Sequence, residues 1–229
     1  MSKKKEIVPV ARIRTDFSSK FGVPRQSGLV DELVSTIVFE PEFRSPDALR
    51  GIEGFSHIWV IWGFSEAEFR GSLTVRPPRL GGNMRMGVFA TRSPFRPNGL
   101  GLSSLRLVGV EKTEGQGTVL LVSGADMTDG TPIYDIKPYL PFTDSHADAL
   151  GGFAEPVREY ALKVDFPEEL LSALPKEKQA AAIAVLAQDP RPAYQEDAAR
   201  EYGFNFAGYE LEFTVSGDTL HVFRVTKTK

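Results

Sequence analysis

Arginines are concentrated between residues 70 and 110, where they could bind a negatively charged ligand. This stretch contains seven arginines and no lysine, aspartate or glutamate, although the whole chain has a net charge of −3. Arginine forms paired hydrogen bonds with phosphate or carboxylate groups and stacks on rings, so the composition favours an anionic partner. Prolines and glycines between the arginines indicate loops of defined shape. The alternative is a set of ordinary turns whose arginines only provide solubility.

A second chemically informative stretch is DMTDGTPIYDIKPYLPF, residues 126–142. Asp129 and the glycine after it predict a tight turn, and the strand that follows would place Asp135 and Lys137 on one face. The functional interpretation is that both carboxylates lie at the mouth of a pocket while the lysine meets an anion. The alternative is an exposed ion pair at the rim of a barrel, which contributes little.

Composition excludes several kinds of chemistry. The chain has no cysteine, which excludes disulfides, thiolate nucleophiles and cysteine-ligated zinc, and its three scattered histidines do not predict a metal site. No apolar run approaches the ~18 residues of a membrane span, and the lysine-rich start is followed by no apolar segment. We therefore expect a cytoplasmic protein without a metal. The sequence GLGLSS at 99–104 follows a proline turn and opens a strand, so it is not a dinucleotide-binding fingerprint.

The hydrophobic pattern predicts short strands over the first two thirds of the chain. They are expected at residues 6–13, 33–39, 55–64, 85–91, 102–110, 118–124 and 131–138. The nearly unbroken apolar run at 55–64 is typical of a strand that is buried on both faces or lies at a subunit contact. Short strands at this spacing favour a barrel or a sandwich over alternating strands and helices.

The pattern changes after residues 146–156, which are rich in small residues and glycine, and we place a domain boundary there. Beyond it we expect a strand at 159–166, a helical stretch at 167–189 that Pro175 interrupts, and a hairpin near the end. Ile183, Leu186 and Ala187 form the predicted apolar face of the helix. The expected fold is mainly β, with a small β-barrel N-terminal domain at 1–150 and a smaller α+β C-terminal domain at 151–229.

These stretches together resemble the TrmO family, also called TsaA or YaeB-like, of S-adenosylmethionine-dependent tRNA methyltransferases. The resemblance rests on VPRQ at 23–26, GIEGFSHIWV at 51–60, TVRPPRLGGNMRMGVFATRSPFRPNGLGLS at 74–103, DGTPIYDIKPYLPF at 129–142 and AQDPRPAY at 187–194. It implies a small β-barrel that binds S-adenosylmethionine near a homodimer interface. It also implies methylation of N6 of threonylcarbamoyladenosine, the modified adenosine beside the anticodon of tRNA.

The resemblance also assigns contacts with S-adenosylmethionine to particular residues. They are Pro24, Arg25, Gln26, Phe64, Ser65, Arg92, Leu102, Asp129, Gly130, Thr131 and Pro132. A histidine is common in the family where this chain has Ser65. S-adenosylmethionine carries a positive sulfur and a carboxylate, so its site needs acceptors such as Asp129 and a basic side chain such as Arg25 or Arg92. The arginine-rich stretch, the VPRQ motif and the stretch at 126–142 provide these groups.

Chemistry and charge suggest roles for the remaining polar residues. The acceptor nitrogen must lose a proton, and we expect a carboxylate to take it, Asp135 ahead of Asp129. A folded anticodon arm offers phosphates and a stackable base, which arginine recognises. The predicted phosphate contacts are Arg76, Arg79, Arg85, Arg96 and Lys137.

Two other functions remain open from the residues. The chain could be a non-catalytic tRNA-binding β-barrel in which the turn at Asp129 is only structural. It could also be a methyltransferase for a small anionic molecule, and the arginines would then line one pocket. The C-terminal domain is a candidate for tRNA binding in either tRNA-directed interpretation.

Overall fold

The computed structural model describes residues 6–77, 84–157, 161–191 and 199–228. Its strands are β1 (Ala11–Arg14), β2 (Val34–Phe39), β3 (His57–Gly63), β4 (Thr74–Val75), β5 (Met86–Gly87), β6 (Leu100–Thr113), β7 (Gly117–Ser123), β8 (Pro132–Pro138), β9 (Lys163–Asp165), β10 (Tyr202–Phe206), β11 (Tyr209–Ser216) and β12 (Thr219–Lys227). The α-helices are α1 (Pro141–Asp144), α2 (Glu168–Leu171) and α3 (Lys176–Ala187). Short 3-10 helices cover Pro41–Phe43, Pro46–Leu49, Ile52–Gly54, Val88–Ala90, Pro97–Gly99 and Gly152–Val157.

Six strands of the first domain close on one another in the order β1, β2, β7, β6, β3, β8. The mainly β character predicted from the sequence is confirmed, and the six strands form a closed ring. Side chains alternate between the two faces: in β3, Ile58, Val60 and Trp62 are buried in the core of the ring, while the two residues between them are half-buried. The continuous apolar run of β3 therefore has one fully buried face rather than two.

The prediction of a strand at 85–91 is wrong for most of its length. Only Met86 and Gly87 pair, with Val75 and Thr74, and a 3-10 helix follows. The hydroxyl of Thr91 donates to the carbonyl oxygen of Val88 at 2.9 Å, which supports a turn in place of a sheet ladder. Hydroxyl side chains commonly compete with regular structure in this way.

The second sheet contains β10, β11, β12 and β9 in that order, with β9 parallel to β12. The predicted interruption of the helical stretch at Pro175 is confirmed, because this proline directly precedes α3. The predicted face of α3 is partly wrong, since Ile183 is 37% exposed. Leu186 is buried as predicted, and the buried face also contains Ala181, Ala182 and Val185.

The segment of residues 15–33, which we call the docking segment, packs on the second sheet although it precedes β2. Phe17, Val30 and Leu33 belong to the same buried cluster as the core residues of the C-terminal part. Gly22 has a φ of 87°, and a Cβ there would lie 2.3 Å from the ring of Phe204. The described residues include no helix that is long and apolar enough to cross a membrane.

Candidate active site and anion groove

A cavity of about 300 Å³, which we call the ring cavity, lies between the docking segment and the end of β3. Its walls are mainly apolar and aromatic, with a few polar groups. The lining residues are Lys20, Val23, Pro24, Trp62, Phe64, Ser65, Glu66, Ala67, Pro94, Phe95, Asp126, Met127, Thr128 and Thr131. Such a combination of apolar walls and few polar groups is typical of small-molecule sites.

A chain of hydrogen bonds connects Trp62 to Asp126 in this cavity. The indole Nε1 of Trp62 donates to Ser103 Oγ at 2.9 Å, and that hydroxyl donates to Asp126 Oδ1 at 2.6 Å. The indole fits because residue 101 opposite it is glycine; a Cβ there would lie 2.3 Å from Trp62 Cε2. The ring of Phe64 meets the indole edge-on at 4.4 Å between centroids.

Burial raises the pKa of Asp126 above its ordinary value, because the charged carboxylate loses water. The hydrogen bond from Ser103, a backbone hydrogen bond from Ser27 and the charge of Arg92 oppose this rise without cancelling it. Asp126 is therefore a partly buried carboxylate with an increased proton affinity at the wall of the ring cavity.

A groove of about 1160 Å³, which we call the arginine groove, adjoins the ring cavity. Lys20, Pro94 and Phe95 line both. The cationic lining of the groove consists of Lys20, Arg25, Arg70, Arg76, Arg85, Arg92 and Arg191, with Glu68 as the acidic residue in the same wall. Phe69, Phe95 and Phe153 provide aromatic surface among these charges. The groove thus presents positive charge and ring faces beside a small apolar cavity.

Comparison with protein families gives two matches that together span most of the chain. The tRNA-methyltransferase O N-terminal domain matches residues 12–145, and the TrmO C-terminal domain matches residues 159–228. The chain belongs to the TrmO family. The resemblance found in the sequence motifs is thereby confirmed.

Relatives of known name and structure agree with the TrmO family. The tRNA (adenine(37)-N6)-methyltransferase of Escherichia coli strain K12 is 40% identical over 92% of this chain and 93% of the relative. That of Eikenella corrodens is 50% identical over 70% of this chain and 91% of the relative. A crystal structure of TrmO from Pseudomonas aeruginosa superposes with a TM-score of 0.79 and 33% identity, covering 99% of both chains.

The structure brings together most of the cofactor contacts that the TrmO resemblance implies. Pro24, Phe64, Ser65 and Thr131 line the ring cavity, and Arg25, Gln26 and Arg92 line the adjoining arginine groove. Arg92 donates to the side-chain oxygen of Gln26, so these two residues support each other across the groove.

The remaining cofactor contacts implied by the TrmO resemblance lie elsewhere. Leu102 is on β6 and is 56% exposed. The backbone of the turn at Asp129 and Gly130 is fixed by amide donation to Phe17 O and Ile13 O, both at 2.8 Å. Pro132 is the first residue of β8.

Neither of the two carboxylates predicted as catalytic is among the residues that line the ring cavity or the arginine groove. Asp129 accepts from the amide of Thr15 at 3.0 Å and from Arg14 at 3.3 Å, and it lines a separate concavity of about 370 Å³. Asp135 is paired with Lys137 at 2.8 Å, with both side chains substantially exposed.

The predicted phosphate contacts are only partly brought together. Arg76 and Arg85 line the arginine groove. Arg96 donates to the carbonyl oxygen of Thr91 at 3.0 Å, and Lys137 lies on β8 with Asp135. Arg79 lies outside the described residues.

Sequence reasoning missed Asp126, Lys20 and Phe95. A signal for Asp126 was present, because this residue is the first acid after the apolar run of β7 and is placed where a buried strand ends. Lys20 and Phe95 carried no such signal, since each lies in a loop whose partners are distant in sequence. Within the described residues, no group of three or more metal-ligating side chains is assembled.

Proposed function

We propose that this protein transfers a methyl group from S-adenosylmethionine to N6 of adenosine 37 in tRNA, and that this adenosine carries the threonylcarbamoyl group. The observation that carries the proposal is the small apolar ring cavity opening beside the arginine groove. The names of the relatives from E. coli and E. corrodens support the reaction. Relatives named as S-adenosylmethionine-dependent or S-adenosyl-L-methionine-binding support the cofactor.

The ring cavity fits S-adenosylmethionine in chemistry as well as position. Trp62, Phe64 and Phe95 provide rings for an adenine or a sulfonium, and Asp126 provides a negative charge for the positive sulfur or the ammonium. Arg25 or Arg92, at the boundary with the groove, would hold the carboxylate of the cofactor. When bound, the cofactor supplies an electrophilic methyl group.

The arginine groove is suited to the anticodon arm. In the part of the chain that the structure describes, seven cationic side chains against one acid in the groove attract phosphates, and exposed aromatic rings are the surfaces on which unpaired bases stack. Because Phe95 lines both spaces, a base stacked on it would lie at the entrance of the ring cavity. We also infer that the C-terminal domain contributes to tRNA binding, since Arg191 lines the groove.

The reaction requires a proton acceptor, because the nitrogen that gains a methyl group loses a hydrogen. Asp135 and Asp129 stay predictions for this role. Asp126 is a third candidate, favoured by its place in the ring cavity and by its raised proton affinity. Lys20, which lines the same cavity, would hold a nearby phosphate or carbonyl oxygen and so keep the nitrogen directed at the methyl group.

We further infer that the protein forms a homodimer and works in the cytoplasm, where tRNA is modified. A contact between copies along β6 would cover Leu102 and Val108, which are 56% and 51% exposed. Light scattering of the purified protein should give the mass of two chains, and the mass of a single chain would contradict the homodimer.

The test is transfer of labelled methyl from S-adenosylmethionine to two preparations of tRNA, one with and one without threonylcarbamoyladenosine. We expect transfer to the modified tRNA alone. Equal transfer to both would show that the threonylcarbamoyl group is not required, while the proposal of a tRNA methyltransferase would stand. Tight tRNA binding without any transfer would favour a non-catalytic tRNA-binding barrel, and transfer to small anionic molecules with no tRNA binding would favour the third function.

A further inference from the structure

Arg25 of the docking segment is held by the backbone of a turn in the C-terminal domain. Its Nη2 donates to the carbonyl oxygen of Asp189 at 3.2 Å and to that of Arg191 at 3.3 Å. These residues are far apart in sequence, so the hydrogen bonds exist only when the two parts of the chain are docked. Both arginines line the arginine groove.

The turn that offers these carbonyls is itself ordered by an ion pair. Arg191 Nε lies 2.7 Å from Asp189 Oδ1, and Arg191 Nη2 donates to Asp189 Oδ2 at 2.9 Å, a two-point contact. The two side chains are only 14% and 12% exposed, so solvent screens the pair weakly. Such planar pairing fixes orientation as well as distance.

The backbone at Asp189 adopts a left-handed conformation that aspartate tolerates better than most residues. Its φ is 53°, in the left-handed region that side-chain-bearing residues other than asparagine and aspartate seldom occupy. This conformation turns the chain sharply after α3, and the carbonyls of residues 189 and 191 then point to one guanidinium. The ion pair and the turn thus direct two acceptors to Arg25.

We propose that Asp189 is a positioning residue for tRNA binding: through its ion pair with Arg191 it shapes the turn that holds Arg25 in the arginine groove. The proposal rests on the proposed function, because it gives the groove its RNA ligand. It assigns Arg25 to that RNA and leaves the carboxylate of S-adenosylmethionine to Arg92, which lines the same groove. Binding an anion with a side chain already held in place costs less conformational entropy than ordering a mobile arginine. Asp189 also offsets the repulsion that Arg191 would exert on Arg25.

The first experiment measures tRNA affinity without cofactor for Asp189→Asn, Arg25→Ala and the double variant. Asparagine keeps the size and tolerates the positive φ, so this variant removes the charge alone. We expect each single change to weaken binding about tenfold. Arg25→Ala should also reduce the salt dependence by about one ion, as for one lost phosphate contact. The double variant should bind tRNA no more weakly than Arg25→Ala does, because both changes remove the same interaction.

A matched control separates positioning from simple docking of the two domains. Lys178 and Asp16 also connect the C-terminal domain with the docking segment, at 2.6 Å and with side chains 27% and 15% exposed, but they lie at the separate concavity. Lys178→Met should lower the melting temperature without changing tRNA affinity. An equal loss of affinity in this control, or fully additive losses in the double variant, would overturn the positioning role.

A second readout does not depend on tRNA. Trypsin cleaves after arginine only where the chain opens locally, so cleavage after Arg25, followed by mass spectrometry, reports how firmly that residue is held. We expect cleavage there to be about tenfold faster in Asp189→Asn and unchanged in Lys178→Met. Unchanged cleavage in Asp189→Asn would refute the positioning of Arg25. If the protein without substitutions did not bind tRNA, the proposed function would be refuted. Faster cleavage in Asp189→Asn would then still show that Asp189 holds Arg25 in place.

Discussion

Asp126 combines three properties at the scale of the single residue: it lines the ring cavity, it ends the hydrogen-bond chain from Trp62, and its pKa is raised by burial. A carboxylate with increased proton affinity is suited to take a proton from a weakly basic nitrogen near neutral pH. Asp135 and Asp129, by contrast, are held by exposed cationic partners. The three carboxylates therefore differ in environment, and variants can separate them.

We expect Asp126→Asn to lower kcat for methyl transfer about 100-fold, the lower end of the usual contribution of a positioned base. Affinity for tRNA should stay within about twofold, since the changed residue is not part of the arginine groove. Asp135→Asn is the matched comparison. If Asp135→Asn lost turnover with unchanged cofactor affinity while Asp126→Asn did not, the original assignment of Asp135 would hold and that of Asp126 would fail.

Asp126→Asn also has an expected effect on the stability of the fold. The folded-state pKa of Asp126 is raised, so the folded protein binds its proton more tightly than the unfolded chain. As pH rises from the ordinary pKa of 3.8 to the folded-state pKa, the free energy of unfolding therefore falls. Above the folded-state pKa, the carboxylate is charged in the folded protein and the full cost of burying it is present. Asp126→Asn should melt at the same or a higher temperature near pH 7, with a difference that disappears below about pH 3.8. Thermal melts across this pH range would show whether the sign is correct.

Pairing of β3 with β6 determines the shape of the ring cavity at the scale of the element. Trp62 lies opposite Gly101 in this antiparallel pair, and the missing side chain of the glycine accommodates the indole. The hydrogen bond from the indole to Ser103 depends on that position. The register of the two strands thus orients a side chain that reaches Asp126.

Gly101→Ala should displace the indole, because the new Cβ would lie 2.3 Å from Trp62 Cε2. Overpacking of this kind costs about 1–3 kcal/mol of unfolding free energy. Methyl transfer should fall as well, since the hydrogen bond to Ser103 is lost. Gly109→Ala, in the same strand with no atom within 4 Å of its Cβ, is the control and should change stability by less than about 0.5 kcal/mol. Similar losses in both variants, measured by denaturant unfolding, would show that the strand and not the indole is responsible.

Regular elements were predictable where one face is buried. The apolar run predicted β3 close to its observed bounds, the hairpin expected near the end corresponds to β11 and β12, and Pro175 marked the start of α3. The length of the two-residue strand β5 was overestimated, because the hydrogen bond from a hydroxyl to the backbone leaves no periodic signal in the sequence. The position of Asp126 after the apolar run of β7 was visible in the sequence, but its burial by distant segments is not a local property of the sequence.

Positive charge is separated from the rest of the surface at the scale of the whole molecule. The chain carries a net charge of −3, yet among the described residues the groove wall contains seven cationic side chains and one acid. This contrast directs a polyanion to one face and increases its association rate at low salt. The concentration of arginines was visible in the sequence, whereas the contributions of Arg25 and Arg191 required the folded chain.

Arg76→Ala with Arg85→Ala should weaken tRNA binding about 10- to 100-fold and reduce the slope of log affinity against log salt by about two. Both side chains line the groove. Arg106→Ala is a suitable control, because Arg106 belongs to the same arginine-rich stretch but is exposed on β6 outside the groove lining. Salt titrations of tRNA binding decide the matter: equal slopes for the double variant and the unmodified protein would place the RNA elsewhere.

The docking segment connects the fold to the order in which a ribosome makes the chain. Phe17, Val30 and Leu33 emerge early, but the strands that bury them, β10 to β12, are among the last residues synthesised. The closed ring can complete its own core before that time, whereas these three apolar side chains stay uncovered until translation is nearly finished. Contacts between such distant residues also form slowly once the whole chain is available. Because Lys20 and Arg25 lie in the same segment, the arginine groove and the ring cavity are complete only after the last strand is in place.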